Sequence, residues 1–230
     1  MAALDILQTV RDATTPGSTT KAVSFSAVAP GDLLLFIVCN QLGSTTVTPP
    51  VGVTTFTNRA TEWPRLSTHA RVAQAGDSTS WTFTFSASEQ ANVVHAYRIE
   101  GPFSTLADVT ITDDASFAGV ASRRVLLSDV TVAANTLVIA TIGQYELPGA
   151  PSVSWSNSFT NAIADDNGAN CLLSTSRRLY TSAATDVSTT ASWTGNDGGN
   201  AALIRIATPS GGGTTTPFRP YYRKLCKLTK

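Results

Sequence analysis

Apolar positions along this chain recur mostly at every second residue, the spacing that lines one face of a β-strand. In Trp81–Phe85 the rings of Trp81, Phe83 and Phe85 alternate with Thr82 and Thr84, so the three aromatics share a face that belongs in a core. Leu33–Cys39 is instead an unbroken apolar run, with the length of a buried strand. Alternation and turn punctuation predict strands near 5–10, 21–28, 33–39, 53–58, 66–73, 80–86 and 92–99. A second series is predicted near 108–112, 123–132, 136–143, 151–155, 171–181, 189–194 and 200–207. Pro30-Gly31, Pro49-Pro50, Gly76-Asp77, Pro148-Gly149, Asn167-Gly168 and the run Gly195–Gly199 read as turns or loops.

The two series are copies of one another. Val28–Leu35 matches Val132–Ile139 at an offset of 104, and Leu66–Arg71 matches Leu173–Arg178 at 107. Tyr97-Arg98-Ile99 aligns with Ile204-Arg205-Ile206 at the same 107, with Pro102 opposite Pro209. Collinear matches with small drifts indicate duplication with loop insertions. Seven short strands per copy suggest a β-sandwich. The expected fold is therefore all-β: two tandem sandwich halves, jelly-roll or immunoglobulin-like, over 1–104 and 105–209. Only Gly101–Ser104 separates the copies, too short for a flexible linker, so the halves should sit close together. One fused larger sandwich is the alternative.

Composition supports strands over helices. Thr (34) and Ser (23) make up a quarter of the 230 residues, whereas Glu occurs four times and Lys is absent between Lys21 and Lys224. Good helix formers are scarce and strand formers plentiful, which excludes a helical bundle and argues against an α/β enzyme. Hydrophobic residues at 42% exclude wholesale disorder. No apolar run is long enough to span a membrane. Met1-Ala2-Ala3-Leu4-Asp5 lacks the basic region and apolar block of a signal peptide. Cys39 and Cys171 lie in apolar strand patterns and, with Cys226, show no metal-ligand spacing. They read as core thiols of a protein folded in a reducing cytosol, which would reach the outside of a cell by lysis or within a particle.

Charge is unevenly placed. Sixteen basic and sixteen acidic residues cancel over the whole chain, but five of the basic ones fall in the last 13 residues, which hold no acid. The remainder, 1–217, has 11 basic and 16 acidic groups, a net of −5. A Gly/Thr/Pro linker at 210–217 leads into 218–230, expected as an extended C-terminal tail that anchors the chain on a neighbouring protein. Phe218, Tyr221, Tyr222 and Leu225 would fill apolar pockets while Arg219, Arg223, Lys224 and Lys227 meet acidic rims. Contact with nucleic acid ranks below this, because nothing else in the chain is basic.

Candidate chemistry is sparse. His69 and His95 sit on predicted strands, their counterparts are Ser176 and Ala202, and no nucleophile elbow is present, so both read as structural. No phosphate loop, dinucleotide fingerprint or zinc cluster occurs, and no cofactor is expected. Asp113-Asp114 and Asp165-Asp166-Asn167-Gly168 could offer oxygens to Ca²⁺, but turn chemistry accounts for both, and no metal is expected. A glycosidase would need two cooperating carboxylates, for which Glu62, Glu89, Glu100 and Glu146 are the few glutamates available. Of the four tryptophans, Trp81 and Trp193 have core-like alternation, whereas Trp63 lies in a loop and, with Tyr145, is the possible glycan contact.

Pro30–Leu35, Thr48–Val53, Ala73–Ser78, Phe83–Ala91 and Ala96–Ile99 together resemble a recurrent β-sandwich module of tailed-bacteriophage virion structural proteins, including tail-associated, fibre and decoration proteins. The likeness spans about residues 20–209, with Val53-Thr54 standing where that family usually has Trp-Thr. It implies a non-enzymatic particle component, made in the host cytoplasm and placed in the virion. Its partners would be other capsid or tail subunits and further copies of itself. The rival expectation is a carbohydrate-binding module for attachment to a host surface.

Overall fold

The computed structural model describes residues 4–13, 18–41, 45–59, 64–87, 92–126, 131–145, 152–166 and 171–209. Among them the chain is all-β, with fourteen strands and no helix, hence none able to cross a membrane. In the first half, five strands form an antiparallel sheet in the order β1 (Ile6–Asp12), β8 (Asn92–Ile99), β3 (Leu33–Asn40), β6 (Arg65–Val72) and β5 (Thr54–Arg59). A smaller sheet, β2 (Thr20–Ser24), β7 (Ser80–Phe85) and β4 (Val47–Thr48), covers one of its faces. Trp81, Phe83 and Phe85 point from β7 onto Phe36, Val38 and Leu34 of β3, with Phe36 5.3 Å from Phe83 and 5.8 Å from Trp81 between ring centres. The alternation in the sequence is thus spent on this packing.

The second half repeats the pattern. Its sheet runs β11 (Ser154–Trp155), β14 (Ser188–Ile206), β10 (Thr136–Gln144), β13 (Leu172–Tyr180) and β12 (Thr160–Asp166), with β9 (Val109–Leu126) also paired to β14. Leu33 pairs with Ile99 and Val72, and at the duplicate positions Leu137 pairs with Ile206 and Leu179. The offsets of 104 and 107 therefore reappear as the same hydrogen-bond register. The turn before the central strand is also copied, with Gly31 at φ 88° and Asn135 at φ 60°. Asn is among the few side chains that tolerate this left-handed backbone.

Two expectations need correction. β9 and β14 are single long strands where shorter separate ones were expected, and the Gly195–Gly199 run lies within β14. Register shifts between Ser192 and Asp197 and between Asp197 and Gly199 interrupt its pairing with β9 along this run. A Cβ on Gly199 would lie 2.1 Å from the Gly143 carbonyl, so glycine permits the close approach there. Strand β12 was not foreseen. It is an edge strand with Ile163 as its only large apolar residue, and Asp165-Asp166 belong to it rather than to the turn that the sequence suggests.

The halves meet through their large sheets. One apolar cluster takes Leu33, Leu35, Ile37 and Cys39 from β3 and Leu66, Val93, Tyr97 and Ile99 from its neighbours. Opposite them lie Leu137 and Ile139 of β10, Leu173 of β13, and Ile204 and Ile206 of β14. Every residue of β3 and β10 is buried, because each serves its own sandwich with one face and the shared layer with the other. The contact is reciprocal: β6 lies against β10 and β14, and its duplicate β13 lies against β3 and β8. That is the signature of a pseudo-two-fold axis between the halves. The tether is held too. Phe103 N–H donates to the Gly31 carbonyl and its ring is in the shared core.

Near this axis Cys39 and Cys171 are buried thiols that form no disulfide, their sulfurs 2.9 Å apart. A Cβ on Gly143, the duplicate of Cys39, would stand 2.9 Å from the Cys39 sulfur and 3.4 Å from Leu66 Cδ1. Gly143→Ala should therefore overpack the layer and lower unfolding free energy by about 1–3 kcal/mol. Adding Cys39→Ala should recover part of that loss, as read from urea unfolding of the single and double variants.

Candidate functional site

The shared layer is apolar over most of its area, but on one side a row of polar groups crosses it. His95 on β8 is fully buried, with Nδ1 3.0 Å from Thr175 Oγ1 of β13 and Nε2 3.0 Å from Asp165 Oδ2 of β12. Tyr97 Oη lies 2.5 Å from the same Thr175 hydroxyl, and Arg11 of β1 donates to both Asp165 oxygens at 3.1 and 3.3 Å. One proton arrangement satisfies the row. Tyr97 O–H donates to Thr175, Thr175 O–H donates to His95 Nδ1, and His95 Nε2–H donates to the Asp165 carboxylate. Burial pushes the His95 pKa down, against the opposing pull of Asp165, which keeps the ring neutral and fits that tautomer. Burial pushes the Tyr97 phenol up to about 12. Burial would raise the Asp165 carboxyl, but the His95 hydrogen bond and the Arg11 charge hold it below the usual range.

Thr175, His95 and Asp165 thus stand in hydroxyl–imidazole–carboxylate order, the order of a nucleophile, base and orienter. However, Thr175 is fully buried and its oxygen already meets Tyr97. No face of it is open to an incoming carbonyl, and the row serves as a hydrogen-bonded pin between the halves. The duplicate positions lack the pin, since His95 and Tyr97 correspond to Ala202 and Ile204. There Thr68, the counterpart of Thr175, is buried with its hydroxyl unpaired among the described residues. His69 is also internal. Its ring lies between Thr55 Oγ1 and Ser67 Oγ, each at 2.9 Å, and burial lowers its pKa to about 4.

A second feature lies on the surface of the other half. A cleft of about 320 Å³ opens between the β13 end, the loop before β14 and the turn at Asn157-Ser158. Arg178 lies over the Tyr180 ring, 4.5 Å from its centre, and donates through Nη1 to the Asn157 carbonyl at 2.8 Å. Asn157, Ser158 and Asp186, all lining the cleft, have φ of 56°, 60° and 52°.

Of the residues singled out in the sequence, Trp63 and 218–230 lie outside the described residues, as do Glu62, Glu89, Glu146 and Asn167-Gly168. The side chains of Asp113 and Asp114 do as well. Tyr145 is half-buried just past β10, its N–H donating to the Gly198 carbonyl. Glu100 is exposed beside β1, bonded through its backbone to Asp5. Trp81 and Trp193 are buried, as their alternation predicts. No group of three or more potential metal ligands occurs among the described residues. Sequence reasoning missed the Arg178 cleft, although the aligned Arg71 and Arg178 were the signal that leads to it. Comparison with family models, curated proteins and solved structures gives no match to this chain.

The two buried histidines set a pH dependence. Their folded pKa values lie below the unfolded value near 6.5, so the unfolded chain binds more protons as pH falls below it. Their contribution is present above pH 6.5 and is lost as pH falls below it, for His69 through about 4. For His69 alone the loss should reach about 3 kcal/mol at pH 4. Urea midpoints measured from pH 7.5 to 4 should fall steadily, with a smaller slope in His69→Gln; a flat profile in the parent chain contradicts this assignment.

Proposed function

We propose that this chain is a structural subunit of a bacteriophage virion, a capsid-decoration or tail/fibre-associated protein, held to the particle by residues 218–230. The reading rests on the module resemblance, on the doubled sandwich body and, above all, on where the charge lies. Five basic side chains stand among Phe218, Tyr221, Tyr222 and Leu225 in a 13-residue segment beyond a Gly/Thr linker, against a body of net −5. The described apolar clusters draw their members from Leu4 to Ile206.

In this reading the role is mechanical, not catalytic. The body is a stiff block that faces outward, and the aromatic and basic side chains of the segment occupy pockets with acidic rims on capsid or tail subunits. Repeated copies of one docking site on a symmetric particle would order many copies of this chain together. Neither a membrane nor a nucleic acid is part of the proposal. Protein lacking 218–230 should keep the thermal midpoint of the full chain and yet be missing from purified particles. Particles that carry the truncated form at wild-type amounts would refute the anchor.

A further inference from the structure

The duplication supplies an internal control for the Arg178 cleft. Arg71 and Arg178 occupy the same place in their halves, Arg71 opposite Leu34 and Arg178 opposite Val138. Arg71 is locked: its Nε and Nη2 donate to the two oxygens of Asp77 at 2.7 and 2.6 Å, and its guanidinium lies over Trp81. A paired fork of this kind neutralises the guanidinium and fixes its orientation. Arg178 keeps the aromatic support, from Tyr180, but has no carboxylate within ion-pair distance among the described residues. The loop that carries Asp77, 73–79, and its second-half copy, 181–187, are the same length, and the place of Asp77 falls to Ala184 counted from the aligned arginines or to Thr185 counted along the loop. Both line the cleft. Where the first half has an internal anion, the second has an open space beside an arginine.

The rest of the lining narrows what would fill that space. Asp186 faces the same cleft with Ser188, Thr185 and Asn157, so acceptors and donors stand close to the guanidinium. A bare anion would meet Arg178 but face Asp186 unfavourably. A ligand that pairs a carboxylate with hydroxyl donors suits both walls. At about 320 Å³ the cleft is at the small end of ligand sites, room for one ring. We propose that it binds a carboxylate-bearing sugar residue, a uronic or sialic acid, with the carboxylate on Arg178 and ring hydroxyls on Asp186 and Ser188. The site is independent of the particle reading, and either can fail without the other.

The test is an NMR titration of the full chain with glucuronate, galacturonate and N-acetylneuraminate, alongside glucose, galactose, acetate and a short glutamate peptide. At least one acidic sugar should give saturable shifts at Arg178 and Ser188, with Arg71 unmoved. Its uncharged counterpart should bind about tenfold more weakly or not at all. Arg178→Gln should abolish the shifts. Thr185→Asp, which offers the cleft an internal carboxylate as Asp77 does for Arg71, should abolish them while leaving the thermal midpoint unchanged or higher. Saturation by acetate at equal affinity, tighter binding of the glutamate peptide, or undiminished sugar binding by either variant each overturns the proposal.

Discussion

The architecture depends on burial of one sheet face against another across the middle of the molecule. Antiparallel sheets commonly keep one face in water, but here β3 and β10 are covered on both sides, and this explains why Leu33–Cys39 is an unbroken apolar run and why Leu137–Ala140 shows no alternation. Each fully buried Leu, Ile or Val adds roughly 1.5–3 kcal/mol of transfer free energy. The layer contains Leu33, Leu35, Ile37, Leu137, Ile139, Leu173, Ile204 and Ile206 at essentially no exposure. Separating the halves would return all of that surface to water at once.

Symmetry in this layer is carried by backbone and apolar side chains, and departures from it by polar ones. The same strands touch in both directions across the axis, yet only one side has the His95–Thr175–Asp165 row. On the opposite side, with Ala202 and Ile204 in place of His95 and Tyr97, the Thr68 hydroxyl has no partner among the described residues. Buried polar groups cost free energy unless hydrogen-bonded, so the satisfied row fixes how the sheets are set against each other while the apolar side supplies adhesion. Arg71 and Arg178 show the same divergence at the surface, one arginine closed by its own carboxylate and the other open.

Much of the fold was legible because alternation and the duplication report the same thing. The aromatic face of β7, the buried run of β3 and the core cysteines outside any disulfide follow from residue order alone. Strand β12 escaped because an edge strand with one large apolar residue has no period to detect, and Asp165-Asp166 imitate a turn. The offset of 106 between Thr54 and Thr160, paired with Ala70 and Arg177, was the overlooked clue. The His95 row could not be read in advance. Its members are distant in the chain, and only the crossing of two sheets brings 95, 165 and 175 together. The cleft was hidden for the opposite reason: it is noticed only because Arg71 is paired with Asp77 while Arg178 has no ion pair among the described residues.

A reciprocal contact of this kind is what two identical separate chains would form, and in that state its occupancy would obey mass action and weaken on dilution. Joining the copies through Gly101–Ser104, with Phe103 seated in the contact, turns the association into an intramolecular event of high effective concentration. A lone molecule at vanishing titre then keeps both halves engaged. Covalent fusion also frees each half from serving as its own mate, and so an imidazole could be placed on one side of the axis without its image appearing on the other.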